Sequence, residues 1–445
     1  MRADTTAPAL VVAAVLLAYF NAVGAAFQFD DYNVIVDNPA VHSLGAWADS
    51  MPGIRPLLKL SYALNWKVSG SPFGFHLVNV VLHAVNALLV LRLLRALAPA
   101  MPWAGLAGAL LFALHPAQTE AVTYVSGRSV SLMALFYLAA AAAWMRANRE
   151  REDRPWRLAS AALFGVALLV KETAVTLPAA LLLLDARDAH APATARARLL
   201  NLRWHAAVLA VALAVMTASP TYRHLLGVSL GARGIADNLL TQANALVWLA
   251  GQLVAPWHLN ADPDLPVVTS MSLALLPALA VVAALAAFVL RHPPRHSWLA
   301  FALLWCFLHL LPTNSLLPRL DVANDRQLYL AAIGFFFVAG LALEALARRG
   351  RMKRFVTGAT VALLVGLGTV TVQRNQVYAS AIAFWEDTLE KSPRKARVAN
   401  NLGYAYQQAG RIEEAKLAYR QAIEADPDYW RARINLEALD HAGTR

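Results

Sequence analysis

Twelve mostly apolar stretches follow one another along the chain, at about 8–27, 74–98, 103–118, 129–146, 157–170, 173–185, 205–219, 238–256, 272–290, 297–312, 329–346 and 354–372. A helix crosses a bilayer core with about 20 apolar residues. Lipid offers no partner for backbone polar groups, so a chain patterned this way is confined to helices. Composition agrees: 58% of the 445 residues are hydrophobic and 15% charged, against about 45–50% and about 25% in soluble domains. A soluble enzyme and a disordered chain are both excluded. The single cysteine, Cys306, lies inside an apolar run, which rules out a disulfide scaffold. The expected fold is an all-α, polytopic membrane bundle. One arginine precedes its first run and no small-residue cleavage site follows Phe27, so that run reads as a span and not as a signal peptide.

The net charge of +11 does not point to nucleic acid, because the arginines collect in short clusters between apolar runs. Clusters at Arg92/Arg95, Arg146–Arg157, Arg187–Arg203, Arg291/Arg295 and Arg348–Arg354 alternate with segments poor in basic residues at 28–73, 115–128, 220–237, 257–271 and 312–328. Short basic loops stay in the cytoplasm, so the N-terminus is expected inside and the 28–73 loop outside. Two places break the alternation. Both flanks of 238–256 read as outside, which predicts a re-entrant or interfacial helix. Both flanks of 157–184 are basic, yet the stretch is too short for two crossings. Two undersized helices meeting at Lys171 and Glu172 in a water-filled cavity would resolve this. Ionisable groups at that depth mark either function or a structural ion pair. The tally is about eleven crossings, with a membrane domain over 1–372 and a soluble segment, 373–445, outside together with Arg445.

That C-terminal segment carries Leu402, Gly403, Tyr406, Ala415, Tyr419, Ala422 and Pro427, the spacing of a 34-residue tetratricopeptide repeat. Ala381, Trp385 and Pro393 occupy second-helix positions one repeat earlier, and Leu436 begins another. So short an array buries little by itself and is expected to rest on the membrane domain or a partner. Asn401 and Asn435 stand one repeat length apart, with Arg397 and Arg431 four residues before each, on one helix face. These four residues either line a groove that clamps a peptide backbone or are solvated polar positions.

The remaining polar constellations all fall on the outside. Phe29-Asp30-Asp31-Tyr32 opens the first loop, and adjacent carboxylates there suit a general base or a divalent cation. Arg55-Pro56-Leu57 and Phe75-His76-Leu77-Val78-Asn79 follow. Then come Leu114-His115-Pro116-Ala117-Gln118-Thr119-Glu120-Ala121-Val122, Ser126-Gly127-Arg128, Leu311-Pro312-Thr313-Asn314-Ser315 and Asn324-Asp325-Arg326-Gln327. One-sidedness of this kind fits an enzyme site at the outer leaflet, and equally a receptor or transport vestibule.

Taken in order with the repeat, these strings resemble the transmembrane and tetratricopeptide-repeat-containing glycosyltransferases. Those are relatives of the protein O-mannosyltransferases in the GT-C superfamily. The resemblance implies transfer of mannose or another hexose from a polyprenyl-phosphate to a hydroxyl acceptor, a protein Ser or Thr, outside the cytoplasm. It makes Asp30 the base, with Asp31 supporting acceptor or cation. Arg326, Lys171 and Arg128 become candidates for the leaving phosphate, with His115 and His76 as hydrogen-bond donors. Glu120 and Glu172 would orient these cations, and Arg55 would support them. No cofactor is implied beyond a divalent cation at Asp30 and Asp31. The partners are the lipid-linked sugar, a polypeptide and the bilayer. A transporter or flippase of lipid-linked saccharide, or a membrane scaffold working through its repeats, are the alternatives. The alanine- and arginine-rich composition points to a bacterial inner membrane with the repeats in the periplasm.

Overall fold

The computed structural model describes residues 5–51, 53–271 and 273–442; Arg445 lies outside them. The described residues contain helices and turns but no strand. Each of the twelve apolar runs coincides with a helix, from Thr6–Tyr19 to Lys353–Gln376. Prolines at the first helical turn start several of the chain's helices, including Pro56–Val68, Pro72–Leu97 and Pro102–Leu114, where proline's missing N–H would be unpaired in any case.

Among the described residues, five helical stretches are long and apolar enough to cross a membrane: Thr6–Gly24, Pro72–Leu97, Val125–Ala147, Asp325–Ala347 and Gly350–Gln376. The pair Ala195–Asn201 and Arg203–Ala218, bent by 51°, would make a sixth. A count near eleven requires shorter helices such as Pro102–Leu114, Leu276–Arg291 and Trp298–Leu310 to cross as well. The helix expected to re-enter or lie along the interface is unbroken over Ile235–Val254 and buries Asn238, Thr241, Gln242 and Gln252. Around Lys171 the expected break is present. Arg154–Val170 ends there, Lys171 is extended, and a tight turn over Glu172–Thr176 leads into Leu177–Asp185.

Small residues let the central helices touch. A Cβ on Gly340 would fall on the carbonyl of Ala104, and one on Gly334 would lie 2.7 Å from the Ala302 carbonyl. Apolar helices gain nothing from hydrophobicity against lipid, so such close packing and buried polar pairs hold them together. Tyr329 supplies one such set: its hydroxyl sits 2.9 Å from His83 Nδ1 and accepts from Asn86 Nδ2 at 3.0 Å.

The C-terminal unit consists of Ala381–Lys391, Ala396–Gln408, Ile412–Ala425 and Trp430–Ala442. Gly403 admits the ring of Tyr419, which a Cβ would meet at 2.6 Å. The unit rests on the membrane domain. Phe384 and Trp385 share one apolar cluster with Ala25, Tyr124 and Tyr378. Ser392 accepts from Asn260 Nδ2 at 2.8 Å and donates to the Asp262 carbonyl at 2.9 Å.

Candidate active site

The chain leaves its first helix and turns sharply at Phe29, whose φ of 34° lies where bulky side chains are strained. Asp31 holds this corner. Fully buried, it accepts from the Gln28 N–H at 2.9 Å, the Ser126 N–H at 2.7 Å and the Ser126 hydroxyl at 2.5 Å. Burial pushes its carboxyl up to about 7, against the pull of those donors. The partner loop is equally constrained, because a Cβ on Gly127 would strike the Glu120 carbonyl.

The result is that Asp30 lines a narrow opening shared with Phe29, Glu120, Tyr124, Asp321 and Arg326. Tyr124 Oη accepts from the Asp30 N–H at 2.9 Å. Glu120 orients Arg326 twice, through its N–H at 2.8 Å and its Nε at 3.4 Å. Arg326 is 17% exposed at the side chain and Glu120 6%, so the guanidinium reaches the cavity while its carboxylate partner stays behind it.

A second chamber opens behind Arg326. It is lined by Lys171, Arg319, Asn324, Arg326 and His309, with Val130, Met133 and Leu330 as an apolar wall. Three cations converge there, and an anion is the natural occupant. Lys171 Nζ donates to Ser129 Oγ at 3.2 Å. Glu172 does not pair with Lys171. It takes Arg55 instead, at 3.0 Å from Nε and 2.8 Å from Nη2. Burial opposes that ionisation, yet the Arg55 guanidinium holds Glu172 below the usual carboxylate range. Arg55 adopts φ 52°, the second strained residue around these chambers.

Several expected site residues stand elsewhere. Arg128 is fully buried and binds Asn79 Oδ1 at 2.7 Å, Asn65 Oδ1 at 2.9 Å and the Phe75 carbonyl at 2.9 Å. It braces helices and is not among the residues lining either chamber. His115 is also buried; its Nδ1 accepts from the Ala117 N–H at 3.2 Å and its other nitrogen faces the Leu253 carbonyl. His76 is buried within the bundle. Arg397, expected in a peptide groove, reaches the membrane domain instead, with Nη2 at 2.6 Å from Asp262 and 2.8 Å from Asp321. Burial opposes that charge, but the two carboxylates raise the guanidinium further above its usual range. Asn435 donates to Asn400 at 3.0 Å, and Asn400 to Asn401 at 3.3 Å; the two expected groove asparagines are thus joined through a third. Arg431 is exposed and lies over Trp430.

The sequence reading missed Arg319, Asp321, Asp262 and Tyr124. Of these, the Arg319 and Asp321 pair, close to Arg326, offered a local signal. Among the described residues, no group of three or more His, Cys, Asp or Glu side chains is arranged to hold a metal ion. Both oxygens of Asp31 already accept from N–H or O–H donors.

The structure defines a multi-pass helical membrane protein whose loop-built site is closed on one side by a tetratricopeptide unit. Residues 52–222 match the family described as dolichyl-phosphate-mannose-protein mannosyltransferase, and 396–429 match a tetratricopeptide repeat. Protein O-mannosyl-transferase TMTC3 of Mus musculus is 25% identical over 96% of this chain and 52% of its own. Tmtc3 of Drosophila melanogaster is 26% identical over 96% of this chain and 56% of its own. Tmtc2 of the same fly is 38% identical over 36% of this chain and 19% of its own. The chain spans about half the length of the relatives it matches end to end. Among solved structures, ArnT from Cupriavidus metallidurans aligns with 99% of this chain and 78% of its own, at 16% identity and a TM-score of 0.42. The chain thus resembles protein O-mannosyl-transferases along most of its length, with its family match confined to 52–222 and its repeat match to 396–429.

Proposed function

We propose that this chain transfers mannose or a related hexose from a polyprenyl-phosphate to a hydroxyl of a polypeptide, on the non-cytoplasmic side of a membrane. One observation carries the reading: Arg326 lines both the chamber that holds Asp30 and the chamber that gathers Lys171 and Arg319. The acceptor hydroxyl would give its proton to Asp30 as its oxygen attacks the anomeric carbon. The bond from that carbon to the phosphate oxygen breaks, and the phosphate keeps the electron pair. Charge building on that oxygen is met by preorganised cations, the arrangement that stabilises such transition states. Val130, Met133 and Leu330 give the donor's lipid an apolar surface. Phe29, Trp385 and the Arg397–Asp321 contact form the acceptor side, with Asn401 and Asn435 further along the repeat unit.

The named activities of the relatives support this assignment, as does the mannosyltransferase match over 52–222. The basic clusters support the non-cytoplasmic side, and the composition supports a bacterial inner membrane with periplasmic repeats. The deciding experiment incubates the purified chain with polyprenyl-phosphate-mannose and a Ser/Thr-rich polypeptide. Release of polyprenyl phosphate together with a hexose mass on the polypeptide is expected. Lipid-linked sugar moved across vesicles with no transfer would replace this reading with a flippase.

A further inference from the structure

A cavity far from Asp30 has the character of a second binding site. It holds about 480 Å³ and lies at the opposite ends of the Pro72–Leu97 and Arg128–Ala147 helices, closed by the turn at 187–190. Arg128, near the Asp30 side, and Arg146, at this cavity, are separated by 18 residues of one helix, about 27 Å at 1.5 Å per residue. That is close to the thickness of a bilayer core. The cavity therefore opens at the other membrane face.

Its lining is divided in two. Leu93, Ala96, Leu97, Ala142 and Met145 form an apolar wall, and Arg92, Arg146, Arg149 and Arg187 stand around it. The protein's own carboxylates do not balance these charges. Glu150 is engaged by Arg146 at 3.2 Å. Asp188 accepts from Asn148 at 3.0 Å and meets Arg149 only at 3.5 Å. Arg187 is held by the Arg295 carbonyl at 2.7 Å and by the face of Trp298, neither of which neutralises it. Arg92 is exposed and has no hydrogen bond or ion pair among the described residues. Glu150 and Asp188 also line the recess but are taken by Arg146 and Arg149, so Arg92 and Arg187 border it without an ion pair among the described residues.

We propose that this cavity binds the head group of an anionic phospholipid, its phosphate between Arg92 and Arg187 and one acyl chain along Leu93, Ala96 and Met145. Guanidiniums match phosphate oxygens in charge and fork geometry. Basic recesses between spanning helices on the cytoplasmic side take acidic lipids for the same reason. A free phosphate would satisfy the arginines but leave the apolar wall uncovered, whereas a phospholipid covers both.

The test measures binding of phosphatidylglycerol, phosphatidylcholine and inorganic phosphate to the full chain in detergent, by thermal shift and native mass spectrometry. Phosphatidylglycerol is expected to bind and stabilise, with the other two much weaker. The double variant Arg92→Gln/Arg187→Gln should weaken phosphatidylglycerol at least about tenfold, the equivalent of one charge-assisted contact. Ala142→Trp fills the recess while keeping every charge that orients the chain, and should weaken it as well. Equal stabilisation by inorganic phosphate would make this a soluble-anion site and overturn the lipid assignment. Equal binding of phosphatidylcholine, or unchanged affinity in Ala142→Trp, would also overturn it.

Discussion

The indole of Trp385 meets the ring of Phe29 edge-on, 5.3 Å between centroids and 89° between planes, one residue before Asp30. A helix of the soluble unit thus presses on the strained residue that aims the proposed base. Residues strained in this way persist only where their surroundings hold them, and here the repeats are part of those surroundings. Trp385→Ala is expected to raise the acceptor KM about 2–10-fold, the range for loss of one aromatic pair. Donor KM should not move. An equal change in both constants would mean that the contact supports only the fold.

Asp30→Asn should lower transfer by about 10²–10⁴-fold, the range for loss of a general base, with the thermal unfolding curve unchanged. Asp31→Asn should behave in the opposite way. Its amide would turn an N–H toward the Ser126 or Gln28 donors, at a cost of about 1–3 kcal/mol in stability. Unfolding and single-turnover transfer measured side by side separate the two neighbours.

Arg319→Gln and Lys171→Gln each remove one charge from the second chamber. Each is expected to weaken binding of the polyprenyl-phosphate donor about 10–100-fold, as for one charge-assisted contact. Glu172 keeps its Arg55 partner in Lys171→Gln, so that variant should remain folded. Unchanged donor affinity in both would move the phosphate out of this chamber.

Docking of the repeat unit should weaken in acid. Burial acts to raise the Asp321 carboxyl, but Arg397 holds it below its ordinary value. A lowered folded-state value contributes stability above the unfolded value near 4, lost as pH falls through the folded one. Hydrogen exchange over 381–408 should rise as pH drops below about 4, after correction for the intrinsic rate. Asp321→Asn should show the higher exchange already at neutral pH. A wild-type profile in that variant would leave docking to the apolar cluster alone.

Asn401→Ala combined with Asn435→Ala is expected to raise the KM for long polypeptide acceptors while leaving a short Ser/Thr peptide nearly unaffected. Each amide bond to a bound backbone contributes about 0.5–1.5 kcal/mol. An equal loss for both acceptors would show that the asparagine chain through Asn400 is structural.

All twelve apolar runs became helices because hydrophobic length and period are local properties that each segment carries alone. The repeat was legible for the same reason: Gly403 and Tyr419 must meet whatever surrounds them. The acids at 30 and 31 could be named from sequence, but not told apart. Their roles diverge because Ser126, far along the chain, turns both its donors on Asp31 and leaves Asp30 facing the cavity. Arg128 and Arg326 looked alike in sequence, each an outward-facing arginine beside a conspicuous string. Asn79, Asn65 and the Phe75 carbonyl enclose the first, while Glu120 steers the second into the opening. Arg397 kept the spacing of a groove residue and was captured by Asp262 and Asp321. Sequence by itself determined which segments are helical and membrane-sized, since burial of backbone in lipid permits little else. Which polar residues brace the bundle and which stay free for chemistry was decided only in the tertiary structure, because a charged group takes its role from partners that the sequence holds far away, from Asn79 for Arg128 to Glu120 for Arg326.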